Sequence, residues 1–101
     1  MAEDGKRGFG FVRVVEDNAE LITISVDPNF RRSGIGHRLM HQLMEKAKTL
    51  GANQFSLEVA ENNIPAIKLY EKFNFQYLYR RRNYFSTDRD SLDAIVFSRF
   101  L

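Results

Sequence analysis

A chain of 101 residues has room for one domain built on one core. With 44% hydrophobic and 28% charged residues it has the composition of an ordinary soluble globular protein, which excludes a disordered or collagen-like chain. The net charge of +2 is too mild to mark a nucleic-acid binder, no apolar run approaches the roughly 20 residues of a membrane span, and the charged start has no apolar stretch behind it to make a secretory signal.

From Gly8 to Val15 the residues Phe9, Phe11, Val12, Val14 and Val15 form an aromatic and β-branched run that predicts a strand, with Glu16-Asp17-Asn18 as the turn after it. A second strand is expected from Glu20 to Asp27 through Leu21, Ile22, Ile24 and Val26, ended by Pro28. Leu39, Met40, Leu43, Met44, Ala47 and Leu50 then recur at the period of an amphipathic helix, and Gly51 is placed to cap its end. Phe55, Leu57 and Val59 alternate with Ser56, Glu58 and Ala60, so Asn53 to Ala60 reads as a third strand. Asn63 is placed to N-cap a short helix with Pro65 in its first turn, Ala66, Ile67, Leu69, Tyr70 and Phe73 on its apolar side, and Asn74 in place of the usual terminal glycine. Phe75 to Phe85 and Leu92 to Phe100 make two further strands joined by a polar loop from Ser86 to Ser91. The order is β-β-α-β-α-β-β, without internal repeat or linker. Strand two, the long helix and strand three are expected to form a parallel, right-handed crossover and the two ends antiparallel pairs, so the fold class is mixed α/β.

The chemistry gathers between Val26 and Gly36, where a strand end runs through a glycine-bearing turn into the long helix. The first N–H groups of a helix have no partner within it and the helix dipole adds partial positive charge, which together make an anion site. Gly34 and Gly36 let a phosphate approach the backbone, and Arg31 and Arg32 add charge at the rim. No Gly-Lys-Ser or Gly-Lys-Thr follows and the three-glycine dinucleotide fingerprint is absent. A glycine pair before a helix is more often structural; two arginines in front and a strand behind favour phosphate. Without cysteine there is no disulfide, thiolate zinc site or cysteine nucleophile, and a cytoplasmic location is the default. His37 and His41 can share a helix face, but no third ligand type lies near them, so a solvated face is expected and no metal. The cluster Arg80-Arg81-Arg82 reads first as a soluble strand surface.

The segment Arg31-Arg32-Ser33-Gly34-Ile35-Gly36 resembles the acetyl-CoA loop of the GNAT superfamily of N-acetyltransferases, whose form is Arg/Gln-x-x-Gly-x-Gly/Ala. Leu57 to Asn63, Ala66 to Phe75, Arg81-Arg82-Asn83-Tyr84-Phe85 and Asp93-Ala94-Ile95-Val96 look like the ribosomal-protein-alanine N-acetyltransferases within it, and the likeness runs from about Gly8 onward. The resemblance implies a GNAT-like fold, a central mixed and mostly antiparallel sheet with two helices, over residues 1–101 as one domain. It implies acetyl-CoA as donor and a primary amine, the N-terminal α-amine of a protein such as a ribosomal protein, as acceptor.

Amide formation from a thioester needs a neutral amine, stabilisation of the developing oxyanion and a proton for the departing thiolate. The family pattern gives Glu58 the role of general base, through water, and Tyr70 that of proton donor. A thiol pKa of about 8.5 against about 10 for tyrosine makes the phenol a workable acid. The same pattern has Asn63 bond the cofactor and Ile24-Ser25-Val26 pair with its pantetheine arm, while Arg31, Arg32, Ser33, Gly34, Ile35 and Gly36 hold its phosphates. Read from the residues alone, Glu58 is a solvated strand glutamate and Tyr70 a core tyrosine; their place behind a phosphate loop promotes both. Arg80, Arg81, Arg82 and Tyr84 orient a peptide acceptor or form a polar strand surface, and both readings stand.

Members of the family carry a further strand and two helices ahead of the Gly8 strand, where this sequence has none. The acceptor side is then incomplete, and the Phe9-to-Val15 strand is expected to be an apolar edge that pairs with another copy or another chain. The alternative to an enzyme is a shortened, inactive relative that binds CoA or a protein partner. A nucleic-acid module is not expected, since no stacking-aromatic or groove-helix pattern accompanies the basic clusters.

Overall fold

The computed structural model describes every residue except 4, 6, 32 and 87–90, and the backbone alone of 85 and 86. Arg32 and the greater part of the loop expected from Ser86 to Ser91 therefore lie outside the described residues. The chain divides into two units, Met1–Phe55 with Phe100–Leu101, and Ser56–Arg99.

In the first unit, β1 (Ala2–Glu3), β2 (Gly8–Val15) and β3 (Asn18–Val26) pair antiparallel in that order. β2 turns into β3 at Glu16-Asp17, where Glu16 takes φ +57°. From that turn the register runs from Val15 opposite Asn18 to Val12 opposite Leu21, then skips Ile22 and resumes with Phe11 opposite Thr23. The skipped residue is a β-bulge. It keeps Leu21 and Ile24 on one side of the ladder although they are three apart, so the partners Val12–Leu21 and Gly10–Ile24 face inward together while Ile22 stays exposed. The expected apolar edge is thus changed at one end. Ala2 and Glu3 fold back opposite Gly10 and Phe9 and use part of that edge's hydrogen-bonding capacity.

α1 (Ile35–Thr49) covers the inner side with Ile35, Leu39, Met40, Leu43, Met44 and Ala47, all buried at the three- and four-residue spacing of one helix face. It lies so close to β2 that a methyl on Gly10 would stand 2.8 Å from Leu43 Cδ1, and one on Gly8 3.0 Å from Leu39 Cδ1 and 2.8 Å from the Ser25 carbonyl. Glycine at position 8 is therefore a packing requirement, while at Gly10 the Leu43 side chain would have to give way. The helix ends at Leu50, whose N–H bonds the Lys46 carbonyl, and Gly51 at φ +92° turns the chain away as expected. A single 3₁₀ turn, Pro28–Phe30, joins β3 to the helix.

β4 (Gln54–Ala60) begins in the first unit and runs through the second. Within the second unit its neighbours follow in the order β4, β6 (Ser91–Phe100), β5 (Gln76–Ser86), with β5 and β6 antiparallel. α2 (Ile64–Lys72) is capped by Asn63, whose side-chain oxygen accepts from the Ala66 N–H at 3.3 Å, and Pro65 sits in the first turn. At its far end Asn74 adopts φ +64° and the Phe75 N–H bonds back to the Tyr70 carbonyl. Leu57, Val59, Tyr70, Phe75, Ala94, Val96 and Phe97 form the buried apolar set of this unit.

The mixed α/β class expected from the sequence is the one found. Besides the bulge at Ile22, the sequence pattern does not show a step in β5. Between Arg81 opposite Ala94 and Phe85 opposite Leu92, three residues of β5 face one of β6, Asp93. Asn83 at the crest takes φ +55° and donates its N–H to the Asp93 carboxylate at 2.9 Å.

Candidate functional site

In the first unit, Ser25 and Val26 close β3 and share an open cleft of about 680 Å³ with Arg31, Gly8, Phe9 and Phe11. Phe9 and Phe11 stand edge to face, ring centres 5.8 Å apart, and are 43% and 41% exposed, because β2 turns its glycines inward and its aromatics outward. Ile24, opposite Gly10, is half-buried. The loop beyond is braced from within: Asp27 accepts the Asn29 N–H at 2.8 Å on its carboxylate and donates its own N–H to the Arg7 carbonyl at 2.7 Å. The Ser33 hydroxyl donates to the Phe30 carbonyl.

Gly34 occupies the N-cap position of α1 at φ +83°, and a Cβ built there would meet nothing within 4 Å. No side chain caps this helix start, and its first turn carries no acidic residue. The helix dipole adds partial positive charge at this start, close in sequence to the exposed Arg31, and Gly34 leaves the space a side chain would take there open. Gly36 follows within the first turn. Ile35 is 2% exposed and its side chain packs against Gly8, so this residue can offer a ligand only its backbone. Ser33, Gly34 and Gly36 do not line the cleft that holds Ser25, Val26 and Arg31.

In the second unit, Glu58 alternates with buried Leu57 and Val59 and so stands on the outer face of β4. Its carboxylate is paired with Arg81 Nη1 at 3.2 Å. The Arg81 guanidinium also lies 5.5 Å from the centre of the Tyr84 ring and 6.0 Å from that of Tyr79. Its proton is held above the usual arginine range, first by a hydrogen bond with Tyr79 and then by the charge of Glu58. Arg80 takes different partners, Glu61 at 2.7 Å and Asp93 at 3.0 Å. The Asn83 N–H and then Arg80 hold the Asp93 carboxyl below the usual carboxylate range. These contacts fix the raised segment of β5 from two sides.

Tyr70 is 4% exposed and packs edge to face on Phe75 at 6.1 Å; burial pushes its phenol up to about 12. Asn63 commits its side-chain oxygen to the cap of α2, which leaves the Nδ2 end for any ligand. The Glu58–Arg81 pair and the close packing of Gly8 and Gly10 against α1 are not visible in any contiguous motif. The signal available for the first was an acidic residue at an outward strand position together with an arginine run on another strand. Among the described residues no group of three or more His, Asp or Glu is placed to hold a metal ion, and no helix is long and apolar enough to cross a membrane.

The profile of the acetyltransferase (GNAT) family matches residues 1–75. The [ribosomal protein bS18]-alanine N-acetyltransferase of Salmonella typhimurium is 40% identical over 95 residues, 94% of this chain and 64% of that protein. Its namesake from Escherichia coli K12 is 37% identical over 97 residues, 95% of this chain and 66% of that protein. The crystal structure of the ribosomal-protein-S18-alanine N-acetyltransferase from Escherichia coli superimposes with a TM-score of 0.87 at 36% identity, covering 98% of this chain and 64% of that one. The chain thus spans just under two thirds of the length of these relatives.

Proposed function

The chain belongs to the acetyltransferase (GNAT) family, and from that premise we propose that it moves the acetyl group of acetyl-CoA to a primary amine, the α-amine of a protein N-terminus such as that of a ribosomal protein. Residues 1–101 act in this reading as one N-acetyltransferase domain, cytoplasmic like the acceptor it would meet. The observation that carries the proposal is the start of α1: uncapped by any side chain, free of acidic residues and opened by a glycine at φ +83°. That arrangement fits a diphosphate. The names of the relatives support the choice of acceptor.

Acetyl-CoA supplies the acetyl group as a thioester, so that a C–N bond forms as the C–S bond breaks, the amine gives up a proton and the thiolate needs one. Arg31, Arg32, Ser33, Gly34 and Gly36 hold the phosphates, with Ile35 contributing its N–H alone. Ile24, Ser25 and Val26 offer strand backbone to the pantetheine arm, and Asn63 offers its Nδ2. Glu58 takes the amine proton through water. Tyr70, with a phenol near 12, keeps its proton through neutral pH. Full transfer from that phenol to a thiolate of pKa about 8.5 is uphill, so its main service is a hydrogen bond donated to the departing sulfur, which takes its proton from solvent water.

The test is to mix the chain with acetyl-CoA and peptides of differing first residue. A mass gain of one acetyl group on a peptide beginning with alanine is expected; cofactor binding without any gain would assign the chain to CoA binding instead. The exposed Phe9 and Phe11 also support self-association along β2. Sedimentation as a monomer at high concentration would count against that part.

A further inference from the structure

Glu58 and Arg81 lie on β4 and β5, with β6 between them, so nothing in the local chain forces them together. They meet because Arg81 reaches to within 3.2 Å of Glu58 Oε1 while its guanidinium is braced by the rings of Tyr84 and Tyr79. The neighbouring Arg80 is taken by Glu61 and Asp93, which leaves the two arginines with separate acidic partners. Asp93, held by both Arg80 and the Asn83 N–H, fixes the raised segment that carries Tyr84, and with it one side of the Arg81 cradle. With side-chain exposures of 45% and 31%, the Glu58–Arg81 pair contributes little to stability. What the Tyr84 and Tyr79 rings add, at 5.5 and 6.0 Å, is a restraint on where the guanidinium sits.

We infer that Arg81 is a positioning residue for Glu58: it pins one carboxylate oxygen and thereby turns the other toward the water or amine of the acceptor. The inference rests on the proposed role of Glu58 as base. A carboxylate on a flexible stem loses rate when it must find its working rotamer anew in each turnover, and a fixed one does not.

The experiment measures steady-state acetylation of an alanine-first peptide by the parent chain and by Glu58→Gln, Arg81→Gln, Arg81→Lys and the Glu58→Gln/Arg81→Gln pair, with acetyl-CoA binding followed by calorimetry. Glu58→Gln should lower kcat about hundredfold. Arg81→Gln should lower kcat about tenfold with KM and acetyl-CoA affinity unchanged, Arg81→Lys should recover part of the loss, and added guanidinium should partly rescue Arg81→Gln. In the double variant the second change should add nothing, because it acts through a carboxylate already gone. A parallel nitrogen NMR measurement on the parent chain should resolve hindered guanidinium rotation at Arg81 that Glu58→Gln releases. Loss of rate in Glu58→Gln with normal kcat in Arg81→Gln overturns the inference alone, as does a freely rotating Arg81 guanidinium in the parent. Full activity of Glu58→Gln, or no acetyl transfer by the parent, overturns the assigned role of Glu58 and the inference with it.

Discussion

At the start of α2 the Asn63 side chain accepts the Ala66 N–H, so that helix satisfies part of its own need for an acceptor. At the start of α1 the chain puts a glycine at φ +83° where such a side chain would be, and no side chain caps the helix. The contrast extends to the units that hold the two helices. The first offers bare backbone made accessible by glycine; the second offers side chains, Glu58, Arg81, Tyr84 and Asp93, each held by another side chain or a backbone N–H. A ligand gripped by backbone is insensitive to most substitutions, whereas a network of side chains fails at single points.

Tyr70→Phe, in the side-chain unit, should have the largest effect, lowering kcat about hundredfold while acetyl-CoA affinity holds. The same variant tests the raised phenol. The neutral phenol is favoured on folding, so its stabilisation is complete below pH 10 and is lost as pH rises toward about 12, by on the order of 2–3 kcal/mol. Tyr70→Phe should flatten that alkaline slope, as followed by circular dichroism against pH. Gly10→Ala, in the backbone unit, pushes a methyl to 2.8 Å from Leu43 Cδ1 and should cost about 2 kcal/mol in denaturant melts, part of it regained with Leu43→Val. Gly34→Val strains a left-handed position and crowds the helix start, so acetyl-CoA affinity in calorimetry should fall at least about tenfold, near 1.4 kcal/mol.

Asn63 separates cap from ligand. Asn63→Ala should cost about 1 kcal/mol of stability, while Asn63→Asp keeps the cap and removes only the Nδ2 donor, so melting temperature should hold and KM for acetyl-CoA should rise. At the small end, Arg13→Ala breaks an exposed pair with Glu20 at 2.8 Å and should shift stability by less than about 0.5 kcal/mol. A larger change there would mean that surface pairs matter more in the first unit than its exposed geometry allows.

Much of this was legible in the amino-acid order because it depends on short-range chemistry. Six buried side chains on α1 repeat at helical spacing, Asn63 and Pro65 mark a helix start, and Gly51 and Asn74 take the left-handed turns expected of them. α1 nonetheless begins at Ile35, four residues before the first apolar residue used to locate it, because the glycines that mark a ligand loop also hide a helix start. The bulge at Ile22 was masked because Leu21 and Ile22 are adjacent apolar residues, either of which can start the inward alternation that Ile24 and Val26 continue. The three-against-one step opposite Asp93 was masked because no glycine or proline interrupts Arg80 to Phe85, and Asn83 alone marks the turn. Of the candidate site, the loop and its glycine could be read, since a loop motif is contiguous. The Glu58–Arg81 contact could not, since it joins strands distant in sequence.

That step in β5 has a consequence for the hairpin's history. The ladder stops at Arg81–Ala94 and restarts at Phe85–Leu92, so the crest between them can gain or shed a residue without shifting pairings on either flank. A change of length there would cost the Asn83–Asp93 hydrogen bond and not the paired rungs. The crest is accordingly where the outline of this hairpin can vary between generations while the rungs on either flank keep their partners.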